Sequence, residues 1–427
     1  MPHLPKATRL LLISLLALAT AACQQVPRWV ETSCVGDDVY PGARWARAAA
    51  PENLGWSPAK LAATEAYAET IGTTALMVVH RGVVVSAWGG VAVKSNVHSV
   101  RKSLLSGLIG IAVEEGKIDL QETLAEIGID DRAPKLSQTE KQATVGDLLK
   151  ARSGIYHPAL YETAAMTASK PPRGSHPPGT HWHYNNWDFN ALGTIFEQQS
   201  GEKIFEAFAR RLAAPLGMED FQVSDGDYVT GSQSDHPAYP FRMTARDLAR
   251  FGYLYLRQGR WKEARLLSPE WVAESTARHS AAGGLRGYGY MWWTLHRPAE
   301  ALAQPPSRFF ASGWHGQLIW VDPGHDLVVV HRVNTDHEHR APRRDEFRKL
   351  FDMIFDAYQG GGTSCDRGQN AGVKERRSSL NIVAPYTALP YIFAYHGRDS
   401  LVRTGRAEGY REPPQTQNTV RLRDTGV

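Results

Sequence analysis

Cysteine is scarce in this chain: Cys23, Cys34 and Cys365 are the only three among 427 residues. Sixteen histidines are present, but neither a His-x-x-x-His helix nor a clustered Cys/His ligand set accompanies them. That pattern argues against a metallohydrolase, and no metal or other cofactor is expected. An excess of charge of one sign is also lacking. The formal net charge is only +4, which gives no argument for a nucleic-acid partner. The longest N-terminal apolar run, Leu10 to Ala19, is broken only by Ser14. A bilayer span needs about 20 apolar residues, so this run is too short for a stable crossing. No internal repeat is evident.

With 42% hydrophobic and 22% charged residues, the composition is that of a globular protein able to bury one large core or two modest ones. Lys6 and Arg9 precede the short apolar run, as in a secretory signal. The run ends Thr20-Ala21-Ala22-Cys23, which resembles a bacterial lipoprotein signal, with Thr20 departing from the usual leucine-like residue. The expectation is a signal peptide over 1–22, lipidation of Cys23, and a periplasmic, membrane-anchored protein. Plain secretion with cleavage near Ala21 or Ala22 is the alternative. A linker over 23–51, a catalytic domain over 52–358 and a polar, disordered tail over 359–427 complete the expected organisation. Cys34 and Cys365 flank that domain, and either a bridge between them or two free thiols fits.

Ser57-Pro58 reads as a cap and first turn of a helix. Ala75–Val79 and Val83–Val85 bracket His80-Arg81-Gly82 as a hairpin. A helix is predicted from Ser99 to about Glu115, stopped by Gly116. Residues 117–280 read as mostly helical, including Val145–Ala151, Ala191–Gln199 and Ala245–Arg257. Strands return at Tyr288–Leu295, Gln317–Val321 and Leu327–Val333, the last two joined by a turn at Asp322-Pro323-Gly324. An amphipathic helix over Arg344–Tyr358 closes the domain. Residues 24–50 read as an irregular lead-in. The fold class is therefore α+β: an antiparallel sheet built from N- and C-terminal strands and flanked by helices, with a largely helical second lobe. The active site is expected in the cleft between the lobes.

Three segments carry chemistry. In Ser99-Val100-Arg101-Lys102, one helical turn places the serine and lysine on one face. The helix that follows is apolar nearly all round and so buried, and desolvation beside a positive dipole end lowers a lysine pKa. A neutral lysine can take a serine proton. The competing reading of Ser99 is a plain helix cap, as at Ser57–Lys60. In Pro178–Asn186, Tyr184 is the only one of sixteen tyrosines to begin a Tyr-x-Asn, which makes Tyr184 a proton-relay candidate and Asn186 a positioning one. Its alternative is an ordinary aromatic loop. In Ala311–Gln317, glycines beside an edge strand let backbone approach a ligand, and a turn or bulge is the alternative.

Taken in order, these segments resemble the serine β-lactamase and penicillin-binding-protein superfamily, whose signature is Ser-x-x-Lys, Tyr-x-Asn or Ser-x-Asn, then Lys-Thr-Gly. The class C-like and esterase branch, which uses tyrosine second, is the better match. The resemblance spans roughly residues 52–358. It implies Ser99 as nucleophile, Lys102 as its activating partner, Tyr184 as general base and Asn186 as a positioning residue. It also implies an oxyanion hole from the Ser99 and Gln317 N–H groups. Trp314-His315-Gly316 stands where β-lactam-handling relatives carry Lys-Thr-Gly, and tryptophan cannot bind a carboxylate as that lysine does. The implied activity is hydrolysis of a small ester, amide or peptide, closer to carboxylesterase or amidase than to β-lactamase or D-alanyl-D-alanine carboxypeptidase. The segments Val97–Lys102 and Tyr184–Phe189 are further reminiscent of hydrolases of 6-aminohexanoate dimers. A non-catalytic cell-wall-ligand binder is the other class left open. The sequence sets no oligomeric state.

Overall fold

The computed structural model describes residues 30–32, 39–296, 306–337 and 340–360. The expected signal peptide, Cys23, Cys34, Cys365 and all but the first two residues of the expected tail lie outside them. Among the described residues one sheet holds ten strands. In chain order these are β1 (Val30–Thr32), β2 (Ala46–Ala48), β3 (Ala75–His80), β4 (Val83–Gly89), β5 (Ser280–Ala281), β6 (Arg286–Tyr288), β7 (Trp293–Leu295), β8 (Arg308–Gly313), β9 (Gln317–Asp322) and β10 (Leu327–Arg332). Their spatial order is β1-β2-β4-β3-β10-β9-β8-β7-β6-β5, so N- and C-terminal strands meet where β3 pairs antiparallel with β10.

Every residue of β3, β9 and β10 is buried, which explains their unbroken apolar runs. The helices that matter for the site are α1 (Pro58–Thr70), α2 (Val100–Glu114), α3 (Asn186–Ser200), α4 (Ala245–Leu256) and α5 (Arg344–Ala357). Consecutive residues of β9 face opposite sides. Trp320 meets Phe351 of α5 with ring centroids 5.4 Å apart, while a Cβ at Gly252 of α4 would come within 2.6 Å of Ile319. Helices thus cover both faces of the sheet.

Four expectations are corrected. The lead-in contains β1 and β2, which pair in parallel with each other, and β2 in parallel with β4. Strands of three residues carry no readable alternation, and their pairing depends on the free edge that β4 offers. Tyr288–Leu295 is not one strand but the hairpin β6–β7, turned at Met291 with φ +62°. The turn is anchored at Gly289, where a Cβ would fall 2.2 Å from the Ser275 carbonyl oxygen. Arg308–Gly313, where the sequence predicts no strand and offers a turn or bulge as the alternative reading of the last three residues, is strand β8, held by a 2.6 Å bond from Arg308 Nε to buried Asp322. The glycines of the third segment lie beside β9, which is interior to the sheet and not an edge strand. The other elements fall within a few residues of expectation; the helical lobe, with α3 as its longest helix, comes from the part of 117–280 that precedes α4, and α4 itself packs on the sheet.

Candidate active site

The site begins at a sharp turn. The Asn96 side-chain oxygen accepts the His98 N–H at 2.8 Å, and His98 adopts φ +47°. That turn delivers Ser99, half-buried, to the first turn of α2. Ser99 Oγ makes no capping bond, whereas Ser57 accepts the Lys60 N–H at 3.4 Å. The two Ser-x-x-Lys matches therefore differ physically: Ser57 caps a helix, and Ser99 is held by the lysine. Lys102 Nζ lies 2.8 Å from Ser99 Oγ and 2.6 Å from the Tyr184 hydroxyl, hydrogen-bonded to both.

Lys102 is buried because α2 is buried. Leu104, Leu105, Leu108 and Ile109 are at most 1% exposed, each contributing about 1.5–3 kcal/mol to docking the helix. Glycines thin its outer contacts: a Cβ at Gly110 would overlap the Trp271 indole. Burial holds the Lys102 amine well below the usual lysine range. Arg101 adds to that effect, and Glu162 opposes it. Nζ also sits over the rings of Tyr184 and Phe189, 4.5 and 4.8 Å from their centroids.

Tyr184 enters from the helical lobe, just before α3, whose cap is Asn185: its side-chain oxygen accepts the Trp187 N–H at 3.3 Å. The tyrosine ring stacks on Trp293 at 5.5 Å with planes 23° apart and meets Tyr288 edge-on at 5.9 Å. Hairpin β6–β7 sets Tyr288 directly opposite Trp293, so the strand split that the sequence concealed builds this aromatic wall. Trp182, two residues earlier, joins it at 6.1 Å from Trp293. Asn186 does not bond Lys102. Its amide donates to the Tyr161 carbonyl at 2.5 Å, and its side-chain oxygen is buried without a partner among the described residues.

The third segment closes the site from the sheet. A Cβ on Gly313 would fall 2.5 Å from the Val97 carbonyl oxygen, so only glycine lets β8 approach the chain two residues before Ser99. Trp314 rests edge-on against His98 at 5.4 Å and is 36% exposed, at the rim. His315 takes φ +59° and packs its ring on Trp314. Gly316, φ +88°, accepts at its carbonyl from His331 Nδ1 at 2.7 Å, while His331 Nε2 pairs with the Thr73 hydroxyl at 2.9 Å. Burial pushes His331 down to about 4, so it is neutral with its proton on Nδ1. Gln317 is fully buried and starts β9.

Ser99, Lys102 and Tyr184 are thus in one hydrogen-bonded group, Trp314 and His315 line its rim, and Asn186 stands behind. Residues that sequence reasoning missed are His98, Tyr161, Tyr288, Trp293 and Arg332. The Tyr161 hydroxyl accepts from Asn96 Nδ2 at 2.6 Å, tying the helical lobe to the turn before Ser99. None of the five belongs to a local pattern. Only His98, one residue before Ser99, had position to mark it.

This geometry agrees with what the chain is similar to. The profile of the family described as Beta-lactamase matches residues 61–352. Over 275 residues the chain is 24% identical to the 6-aminohexanoate-dimer hydrolase of Paenarthrobacter ureafaciens, a match covering 54% of this chain and 64% of that protein. The match thus spans less than two thirds of that relative's length. In fold, the chain is similar to a family VIII carboxylesterase, with a TM-score of 0.52 at 16% identity, covering 70% of this chain and 97% of that one. It is also similar to a penicillin binding protein from Bacillus halodurans, with a TM-score of 0.51 at 16% identity, covering 68% of this chain and 99% of that one. Because the profile covers well over half of the sequence and contains the Ser99, Lys102 and Tyr184 cluster, this chain belongs to the beta-lactamase family.

Proposed function

We propose that this chain is a serine hydrolase that cleaves an ester or amide through an acyl-enzyme on Ser99, with carboxylesterase- or amidase-like selectivity. The observation that carries it is the double hydrogen bond of buried Lys102 to Ser99 Oγ and the Tyr184 hydroxyl. An amine kept neutral by burial can accept a proton, so the Lys102–Tyr184 pair takes the Ser99 hydroxyl proton as Oγ attacks the carbonyl carbon. The tetrahedral oxyanion is stabilised by the N–H groups of Ser99 and Gln317, and its collapse expels the alcohol or amine, which leaves with that proton. Water then attacks the acyl ester as its proton passes through the Tyr184 hydroxyl to the Lys102 amine, and collapse releases the carboxylic acid while that proton returns to Ser99 Oγ. Asn186, bonded to the Tyr161 carbonyl behind the cluster, is a positioning residue only.

Trp314 favours the esterase and amidase reading over β-lactam or D-alanyl-D-alanine substrates, because the rim presents an indole where a lysine would hold a carboxylate. The test is to incubate the soluble protein with a short p-nitrophenyl ester, with a 6-aminohexanoate dimer and with a penicillin, then map adducts by mass. A Ser99 adduct with faster ester or amide turnover supports the proposal. Faster penicillin labelling selects β-lactam chemistry. Unchanged turnover in Ser99→Ala removes Ser99 from the mechanism, and the absence of any adduct leaves a ligand-binding role.

Export and anchoring through a lipid on Cys23 belong to the same proposal, resting on the Ala21-Ala22-Cys23 signal. Incorporation of labelled palmitate, lost in Cys23→Ser, tests it.

A further inference from the structure

Arg332, the last residue of β10, is 2% exposed and bonds five acceptors, none of them a carboxylate. Its Nε donates to the Gln317 side-chain oxygen at 2.6 Å. Nη1 donates to the Met243 carbonyl at 2.6 Å. Nη2 reaches the Ser95 hydroxyl at 2.6 Å, the Ser95 carbonyl at 3.0 Å and the Asn96 carbonyl at 3.2 Å. The acid whose charge acts on it, Asp336, spends its bonds on Arg242, at 2.9 and 2.6 Å. A buried guanidinium without a bonded anion is a heavy desolvation burden, and an apolar side chain of similar volume would serve packing alone at least as well. What the guanidinium supplies is a planar fork with donors in fixed directions.

The acceptors divide into two groups that converge on the acyl-transfer site, the Met243 carbonyl belonging with Ser95, its antiparallel partner. Ser95 and Asn96 begin the turn to Ser99: Asn96 fixes the His98 N–H, and Ser99 follows. Gln317 begins β9, and its amide is pinned at both ends, by Arg332 and by donation to the Val333 carbonyl at 2.6 Å. We infer that Arg332 is a positioning residue for acyl transfer: its guanidinium sets the spacing between the Ser99 turn and the Gln317 backbone, the two segments whose N–H groups face the acyl oxygen. The inference rests on the serine-hydrolase reading above. Displacing such a donor pair by about 1 Å can cost on the order of 100-fold in rate while leaving substrate binding largely intact.

The test compares native protein with Arg332→Lys, which keeps the charge and loses the fork, and with Gln317→Met, which keeps the backbone N–H and removes the side-chain acceptor. Ester turnover is measured well below each protein's melting temperature, together with the affinity for an alkyl boronic acid, whose serine adduct is a tetrahedral anion. Both variants are expected to lose about 10- to 100-fold in kcat with KM within about threefold, and boronate affinity should fall in parallel. A variant with a lowered melting temperature but native kcat and boronate affinity would make Arg332 structural only and overturn the inference. Should Arg332→Lys not fold, Gln317→Met decides by the same readouts. Failure of the native protein to label at Ser99 overturns the hydrolase reading itself, and this inference with it.

Discussion

Tyr184 lies against Trp293 in a near-parallel stack, with ring centroids 5.5 Å apart, and the tyrosine hydroxyl still reaches Lys102 at 2.6 Å. The ring is fixed by packing and the oxygen by the amine, so the two contributions can be separated.

Tyr184→Phe keeps the stack and removes the oxygen. It is expected to lower kcat by about 10²- to 10⁴-fold, the usual range for losing a general base. The melting temperature should move little. Trp293→Ala, which removes the stacked partner, should lower both. Steady-state kinetics and thermal melts on the two variants check the separation.

Lys102→Met removes an amine that burial holds well below its ordinary value of 10.5. Between the depressed value and 10.5 the unfolded chain binds more protons than the folded one, so this group's contribution to stability rises with pH across that window. The variant is expected to be inactive yet more thermally stable than the native protein at pH 7, with the gain shrinking towards pH 10.5. The native rate should fall on acidification as the amine takes up its proton. Melts from pH 7 upward, beside a pH–rate profile, test both signs.

Trp314→Lys replaces a rim residue that is 36% exposed. Stability should change by no more than about 0.5 kcal/mol, as for other surface sites. Acylation of Ser99 by a penicillin should accelerate relative to acylation by a neutral ester, because a cation at the rim can hold the penicillin carboxylate. A fall in the penicillin-to-ester ratio would show that the indole does not set this preference.

Gly252→Ala probes the scaffold. The added Cβ would lie 2.6 Å from Ile319 Cγ2 and 2.9 Å from Val328 Cγ1, on the interior strands β9 and β10. Overpacking there is expected to cost about 1–3 kcal/mol. Denaturant unfolding should show a lower midpoint at unchanged slope.

Much of the Ser99, Lys102 and Tyr184 cluster was legible because one helical turn fixes its first pair. Ser99 and Lys102 share a face wherever residues 99–102 are helical, and the apolar run behind them announces burial. The central hairpins were legible for a similar reason, since β-branched runs around a tight turn have few other ways to satisfy their backbone. The split at Gly289–Met291 was not, because the carbonyl that encloses Gly289 belongs to Ser275 and the chain between gives no sign of it. Arg332 was invisible as a site residue: its acceptors lie 15, 89, 236 and 237 positions away.

The sequence by itself determined the family, the order of the three segments, the serine–lysine spacing and the absence of a lysine at position 314, because each is local or a matter of residue type. Only the tertiary structure decided that Ser99 makes no cap and is held by Lys102, what wall holds Tyr184, and how the turn before Ser99 is locked to Gln317. Those relationships are made by groups brought together across the sheet and between the lobes, and a linear pattern carries no record of which distant side chain will supply the missing hydrogen bond.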